Sequence, residues 1–279
     1  MSALRKLISA QQRTRSLVSV GLEPHPDYLA SGFTPSLANY ESFLRVIIDA
    51  TAGLACAYKF NLAFFEALGP DGVAMLYRVR SRLPDDVLII ADAKRGDIGS
   101  TARCYASALY DSLGADSATV NPLMGRDSAE PFLAYRDKLT FFLALTSNPG
   151  ASDFIIPDNL YLSIARSIQE WTAGENAGIV VGATRPVMVK DVRAAAPSLP
   201  FLIPGVGAQG GDLEETARLA RLAPPSPANF SGMIFHVTRG VLPSKEDSGD
   251  PADVIRRKAT EWRDRTAAAM GWKKEAAHA

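Results

Sequence analysis

With 279 residues, 47% of them hydrophobic, the chain carries enough apolar material for a sizeable core, in one α/β barrel or in two smaller domains. Thirty Lys and Arg balance thirty Asp and Glu, so the basic excess of a general nucleic-acid binder is absent, which leaves room for a small anionic ligand held by a few placed cations. Cys56 and Cys104 have no metal-ligand spacing and make no disulfide framework, which fits a reducing cytoplasm; no run reaches membrane-spanning length, and three scattered histidines argue against a histidine metal site.

The first segment, about residues 2–15, reads as a polar amphipathic helix, because it lacks the continuous apolar core of a signal peptide. Apolar, β-branched runs then alternate with helical patterns. LVSVGL (17–22) precedes a helix at 36–54, CAYKFN (56–61) one at 64–82, VLIIAD (87–92) one at 98–113, and SATVN (117–121) one at 127–136. FFLALT (141–146) precedes 158–173, GIVVGA (178–183) precedes 186–195, FLIPG (201–205) precedes 211–222, and GMIFHV (232–237) precedes a C-terminal helix at about 251–270. Such alternation implies a parallel sheet with helices outside it. Eight units predict a (β/α)8 TIM barrel forming a single domain over 1–279; the alternative is an open doubly wound sheet.

Barrels gather their chemistry at the C-terminal ends of the strands. There this chain places Glu23, Lys59 and Asn61, Asp92 and Lys94, Asn121, Thr146 and Ser147, the loop PGVGAQGG, and Arg239. The densest segment is ADAKRGDIGST (91–101). Strand alternation points Asp92 and Lys94 the same way, Gly96 permits a turn, and Asp97 opens the next helix. Two carboxylates about 4 Å apart repel by roughly 4 kcal/mol at an effective dielectric of about 20, so a lysine between them is the natural compensation. The alternative makes Asp97 a helix N-cap and Lys94 a solvated lysine.

Residues 205–210, GVGAQG, match G-x-G-x-x-G between a strand and a helix. The match falls in the seventh unit, and nothing acidic occurs between Glu215 and Glu246, so a dinucleotide fingerprint is rejected. A phosphate cradle fits better. Glycines let backbone N–H groups approach an anion, a helix N-terminus adds favourable partial charge, and Arg239 follows strand eight.

Together DAKRGDIGST (92–101), YKFNLAFFE (58–66), NPLMGRDS (121–128), TSNPG (146–150), PGVGAQGGD (204–212) and TRG (238–240) resemble orotidine 5′-phosphate decarboxylases, particularly their longer bacterial subgroup. The resemblance implies loss of CO2 from C6 of orotidine 5′-monophosphate, giving UMP, with no metal and no organic cofactor. It implies Lys94 as proton donor to C6, Asp92 set against the substrate carboxylate, and Lys59 contacting the ribose and bracing the charged array. It also implies that Asp97 and Thr101 reach the neighbouring site across a homodimer interface, that Ser147 binds the pyrimidine edge, that Gln209 bridges phosphate and base, and that Arg239 binds phosphate. Glu23, Asn61 and Pro204 complete the implied substrate-binding set.

The residues agree with that chemistry. Decarboxylation leaves carbanion character at C6, no motif here implies a thiamine- or pyridoxal-like electron sink, and a preorganised ammonium can both stabilise the charge and deliver the proton. The chain departs from the family pattern in VGLEP, where Glu23 replaces the usual aspartate, and in FHVTRG, where His236 and Thr238 replace small polar residues. His236 reads as a satisfied structural histidine rather than as part of the phosphate end. Two competing readings are a Mg2+-dependent sugar-phosphate decarboxylase or aldolase, and a catalytically silent nucleotide-binding barrel. The first would bring a glutamate where Lys59 stands, and the second would have lost Lys94 or an aspartate.

Overall fold

Each apolar run becomes a strand because its two faces meet different apolar surroundings, the barrel interior and the helical layer. The computed structural model describes residues 1–172, 176–207, 210–222 and 230–272. The strands are β1 (Val18–Leu22), β2 (Ala57–Asn61), β3 (Leu88–Arg95), β4 (Ser117–Val120), β5 (Leu139–Leu145), β6 (Ala177–Val181), β7 (Phe201–Pro204) and β8 (Met233–Val237). They pair in sequence order, all parallel, and β8 returns to β1 through Val18 opposite Phe235, closing a (β/α)8 barrel and excluding the open sheet.

The inner face explains where the site lies. Ala57, Leu88, Ile90, Leu139, Phe141, Val180, Leu202 and Ile234 form one apolar cluster with Ala3, Leu7 and Ala10. Those last three belong to α1 (Ala3–Thr14), which therefore plugs the barrel mouth nearest the strand starts. Lys6 ties the plug to Asp116 at 2.7 Å, and Gln11 donates to the Met233 carbonyl at 2.7 Å. Two residues further along the same faces of β2, β3, β7 and β8 stand Lys59, Asp92, Pro204 and His236. The interior thus changes from an apolar layer to a charged one at the opposite mouth.

The outer helices are α2 (Leu37–Thr51), α3 (Leu62–Glu66), α4 (Gly69–Arg80), α5 (Gly99–Ser107), α6 (Arg126–Leu133), α7 (Ala151–Phe154), α8 (Leu160–Trp171), α9 (Pro186–Ala195), α10 (Leu213–Ala220) and α11 (Pro251–Ala269). The helix expected at 64–82 is two, because Gly69 takes φ +71 and Pro70 lacks the N–H to continue the first. The helix expected at 98–113 begins at Gly99 and loosens into a π turn over Ala108–Ser112. Short α7, after TSNPG, has too few turns for a periodic signal. Arg193 is buried with no carboxylate partner among the described residues; its guanidinium donates to the carbonyls of Ala196, Leu199, Ala220 and Gly232 and lies 3.6 Å from the Phe201 ring centroid. It fastens the ends of α9 and α10 to the β7 and β8 entrances.

Candidate active site

Asp92 is the hub of the charged layer. Lys59 Nζ donates to its Oδ2 at 2.6 Å, Lys94 Nζ to its Oδ1 at 2.6 Å, and Thr119 Oγ1 to Oδ1 at 2.8 Å. Lys59 is 4% exposed, whereas the Lys94 side chain is 51% exposed and faces the open mouth. Burial alone would raise the Asp92 carboxyl, but Lys59 and Lys94 more than offset it and hold Asp92 well below the usual carboxylate range. Asp92 is therefore ionised across the working pH range, and its Oδ1 holds Lys94 Nζ in place.

Lys94 reaches this geometry by leaving the regular strand. From the Ala91–Ala118 pair to the Arg95–Val120 pair, β3 advances four residues while β4 advances two. Lys94 sits at the resulting bulge with φ +48, a conformation costing a non-glycine residue about 1–2 kcal/mol. Its N–H donates to Thr119 Oγ1 at 3.0 Å, the same hydroxyl that holds Asp92, so β4 fixes both the backbone and the carboxylate. Such strain clusters where a side chain must be aimed.

Glu23, at the end of β1, has an 8% exposed side chain and lies 3.8 Å from Lys59. Burial raises its carboxyl above the ordinary value, with Lys59 opposing the shift and Asp92 adding to it. His236 is held below its ordinary value, by burial first and by Lys59 second, and so is neutral. It lies 3.4 Å from Ser19 Oγ and 3.1 Å from Thr238 Oγ1. A Cβ on Gly21 would fall 2.0 Å from Thr238 Oγ1, so glycine is required where the His236 and Thr238 side chains pack against β1. His236 has hydrogen-bond partners and also lines both cavities, so the two readings of it are not exclusive.

The cavities meet at Lys59, Pro204 and His236. One, of about 340 Å³, is walled by Asp92, Lys94, Thr119, Thr146, Ser147 and Asn148 over an apolar floor of Leu143, Val180 and Leu202. An apolar floor beneath a polar wall suits an aromatic base. Ser147 packs so closely against β6 that a Cβ on Gly182 would fall 2.8 Å from it. The second, of about 170 Å³, is lined by Glu23, Tyr28, Gly205, Val206, Thr238, Arg239 and Gly240. Among the described residues no carboxylate pairs with Arg239, which leaves its guanidinium free for an anion. Gly205, Gly207 and Gly210 take φ of +96, +69 and +80, so this loop needs its glycines.

Several expectations are corrected. Asp97 is not the N-cap: Ile98 is, and Asp97 Oδ1 instead takes the Ile98 N–H at 2.8 Å. Nor does Lys94 sit between two aspartates of its own chain; among the described residues its ion pair is with Asp92, and Asp97 and Thr101 wall neither cavity. Asn61 and Asn121 end their strands but give their side-chain oxygens to the N–H groups of Ala63 and Leu123. The first turn of α10 offers an anion little, because Asp212 caps it and Glu214 and Glu215 follow. Gln209 lies outside the described residues. Sequence reasoning missed Thr119 and Tyr28, both one polar residue in an otherwise ordinary segment.

The model of the orotidine 5′-phosphate decarboxylase / HUMPS family matches residues 17–254. The chain is 43% identical over 256 residues to orotidine 5′-phosphate decarboxylase of Dehalococcoides mccartyi (strain CBDB1), covering 89% of this chain and 91% of that protein. With the Paracidovorax citrulli enzyme of the same name it shares 41% over 281 residues, 97% of this chain and 100% of that protein. The structure of Leishmania donovani OMP decarboxylase superposes with a TM-score of 0.82 at 36% identity, covering 97% of this chain and 99% of that one. The likeness runs through every strand that carries the charged layer, and the chain belongs to the orotidine 5′-phosphate decarboxylase family.

Proposed function

We propose that the protein converts orotidine 5′-monophosphate to UMP and CO2, the last step of UMP synthesis, without a metal or organic cofactor. The carrying observation is the exposed Lys94 ammonium, held 2.6 Å from an ionised Asp92 at the head of a base-sized cavity that opens toward Arg239. The pyrimidine lies over Leu143, Val180 and Leu202 with Ser147 at its edge, the ribose lies by Lys59 and Glu23, and the phosphate is met by Arg239 and the Pro204–Val206 backbone. The substrate carboxylate is placed against Asp92. As the C6–carboxylate bond breaks, its electron pair stays on C6 and CO2 departs. Lys94 stabilises that charge at once and then transfers a proton from Nζ to C6. Phosphate binding, remote from C6, supplies energy for closing the site.

The metal-dependent reading fits less well. Lys59 Nζ occupies the space between Asp92 and Glu23 that a divalent cation would need, 2.6 Å from the first and 3.8 Å from the second, and its positive charge repels such a cation. Purified protein in excess EDTA should therefore turn over orotidine 5′-monophosphate at its full rate, followed by pyrimidine absorbance. Turnover lost in EDTA and restored by Mg2+ would favour the sugar-phosphate reading.

The working unit we infer is a homodimer with composite sites, in the cytoplasm. No helix among the described residues is long and apolar enough to cross a membrane. Ile98, Leu123 and Met124 are about half exposed, at 50%, 57% and 51%, on two loops that touch through Gly96 and Asn121. This apolar surface lies beside Asp97, which its own cavity does not use, and a second copy would cover the one and employ the other. Mixing inactive Lys94→Ala with inactive Asp97→Ala should restore activity. Random exchange makes about half the dimers mixed, each with one intact site, so recovery approaches roughly a quarter of wild type if sites act independently. No recovery despite demonstrated subunit exchange would return Asp97 to its own chain.

A further inference from the structure

The two loops that line the anion end of the site are joined from below by one side chain. Trp262, on α11, is 8% exposed and donates its Nε1–H to the Gly240 carbonyl at 3.1 Å. A Cβ on Gly240 would lie 2.8 Å from that nitrogen, and a Cβ on Gly207 would lie 2.9 Å from Cζ2 and Cη2 at the other edge of the indole. Gly207 belongs to the loop after β7 and Gly240 to the loop after β8, so one ring spans both. The ring is itself fixed. Arg265 lies 4.8 Å from its centroid and is bound to Glu214, in the first turn of α10, with the nearest contact at 3.1 Å. α10 begins where the β7 loop ends, so the wedge is tied to that loop at both of its ends.

We propose that Trp262 is a positioning residue for phosphate: its indole sets the gap between the Gly205–Gly207 and Arg239–Gly240 segments and turns the Gly240 carbonyl toward α11, away from the anion. The role rests on the decarboxylase reading for the identity of the ligand. Glycine-rich loops have many accessible conformations, and a rigid ring touching both removes the wrong ones before the ligand arrives. A carbonyl facing the cavity would repel phosphate; hydrogen bonding it to the indole holds it elsewhere.

Binding of UMP and of uridine separates this role from mere core packing. Trp262→Phe keeps an aromatic ring but loses Nε1–H and the far ring edge. UMP affinity should fall about tenfold, the scale of one good hydrogen bond to a charged group, while uridine affinity stays within about twofold. Gly240→Ala leaves the tryptophan in place but pushes against it, and should give the same phosphate-selective loss; it also reads out the proposal if Trp262→Phe does not fold. Equal losses for both ligands, or folded variants that bind UMP as wild type does, would overturn the role while the decarboxylase reading stands. Wild-type protein with no preference for UMP over uridine would instead remove the phosphate site itself, and this role with it.

Discussion

Lys94→Ala should lower kcat by about 10⁴-fold or more while UMP still binds measurably, because one group supplies both charge stabilisation and the proton. The lysine acts on charge that exists only as CO2 leaves, so its loss falls on kcat rather than on ground-state affinity. The fold should survive. The side chain is half exposed, alanine accepts φ +48 no worse than lysine does, and Asp92 keeps Lys59 and Thr119 as partners. Single-turnover kinetics, with UMP affinity measured alongside, check this; near-normal kcat in a folded variant would refute the assignment.

Arg239→Ala should act at the other end of the ligand. A guanidinium binding phosphate through paired hydrogen bonds contributes roughly 2–3 kcal/mol, so KM should rise about 30- to 100-fold. A fall in kcat accompanies it if phosphate binding drives closure. Orotidine, which lacks the phosphate, should show little or no defect, since the lost partner is then absent from both sides of the comparison. Equal defects with and without the phosphate would exclude the role.

The barrel was legible because its signal is local and repeated: eight apolar runs, each followed by a helical pattern, leave few other topologies. The rim residues were legible for the same reason, since a charge at the end of a buried strand needs a purpose. What stayed hidden depends on contacts distant in sequence. Regular alternation puts Asp92 and Lys94 on one side, but nothing local announces the bulge and the φ of +48 that aim the lysine, because both are set by Thr119 on the next strand. The plug made by Leu7 and the wedge made by Trp262 lie at the two ends of the chain, and their partners come from the barrel between. Nothing local marks Arg193 for burial, and the four carbonyls that converge on it come from segments distant in sequence or from the turns after α9. Asp97 was placed beside Lys94 by its spacing, yet spacing carries no information about which copy of the chain it serves.

The central claim is that the Lys94 ammonium delivers a proton to the carbon from which CO2 departs, and isotopic substitution at that carbon tests it most directly. With orotidine 5′-monophosphate in D2O, Lys94 carries deuterium on Nζ. The UMP formed should bear a single deuterium at C6, with one CO2 released for each UMP, and Lys94→Ala should abolish both. UMP formed without deuterium at C6, or labelled UMP produced by Lys94→Ala at the wild-type rate, would contradict the account.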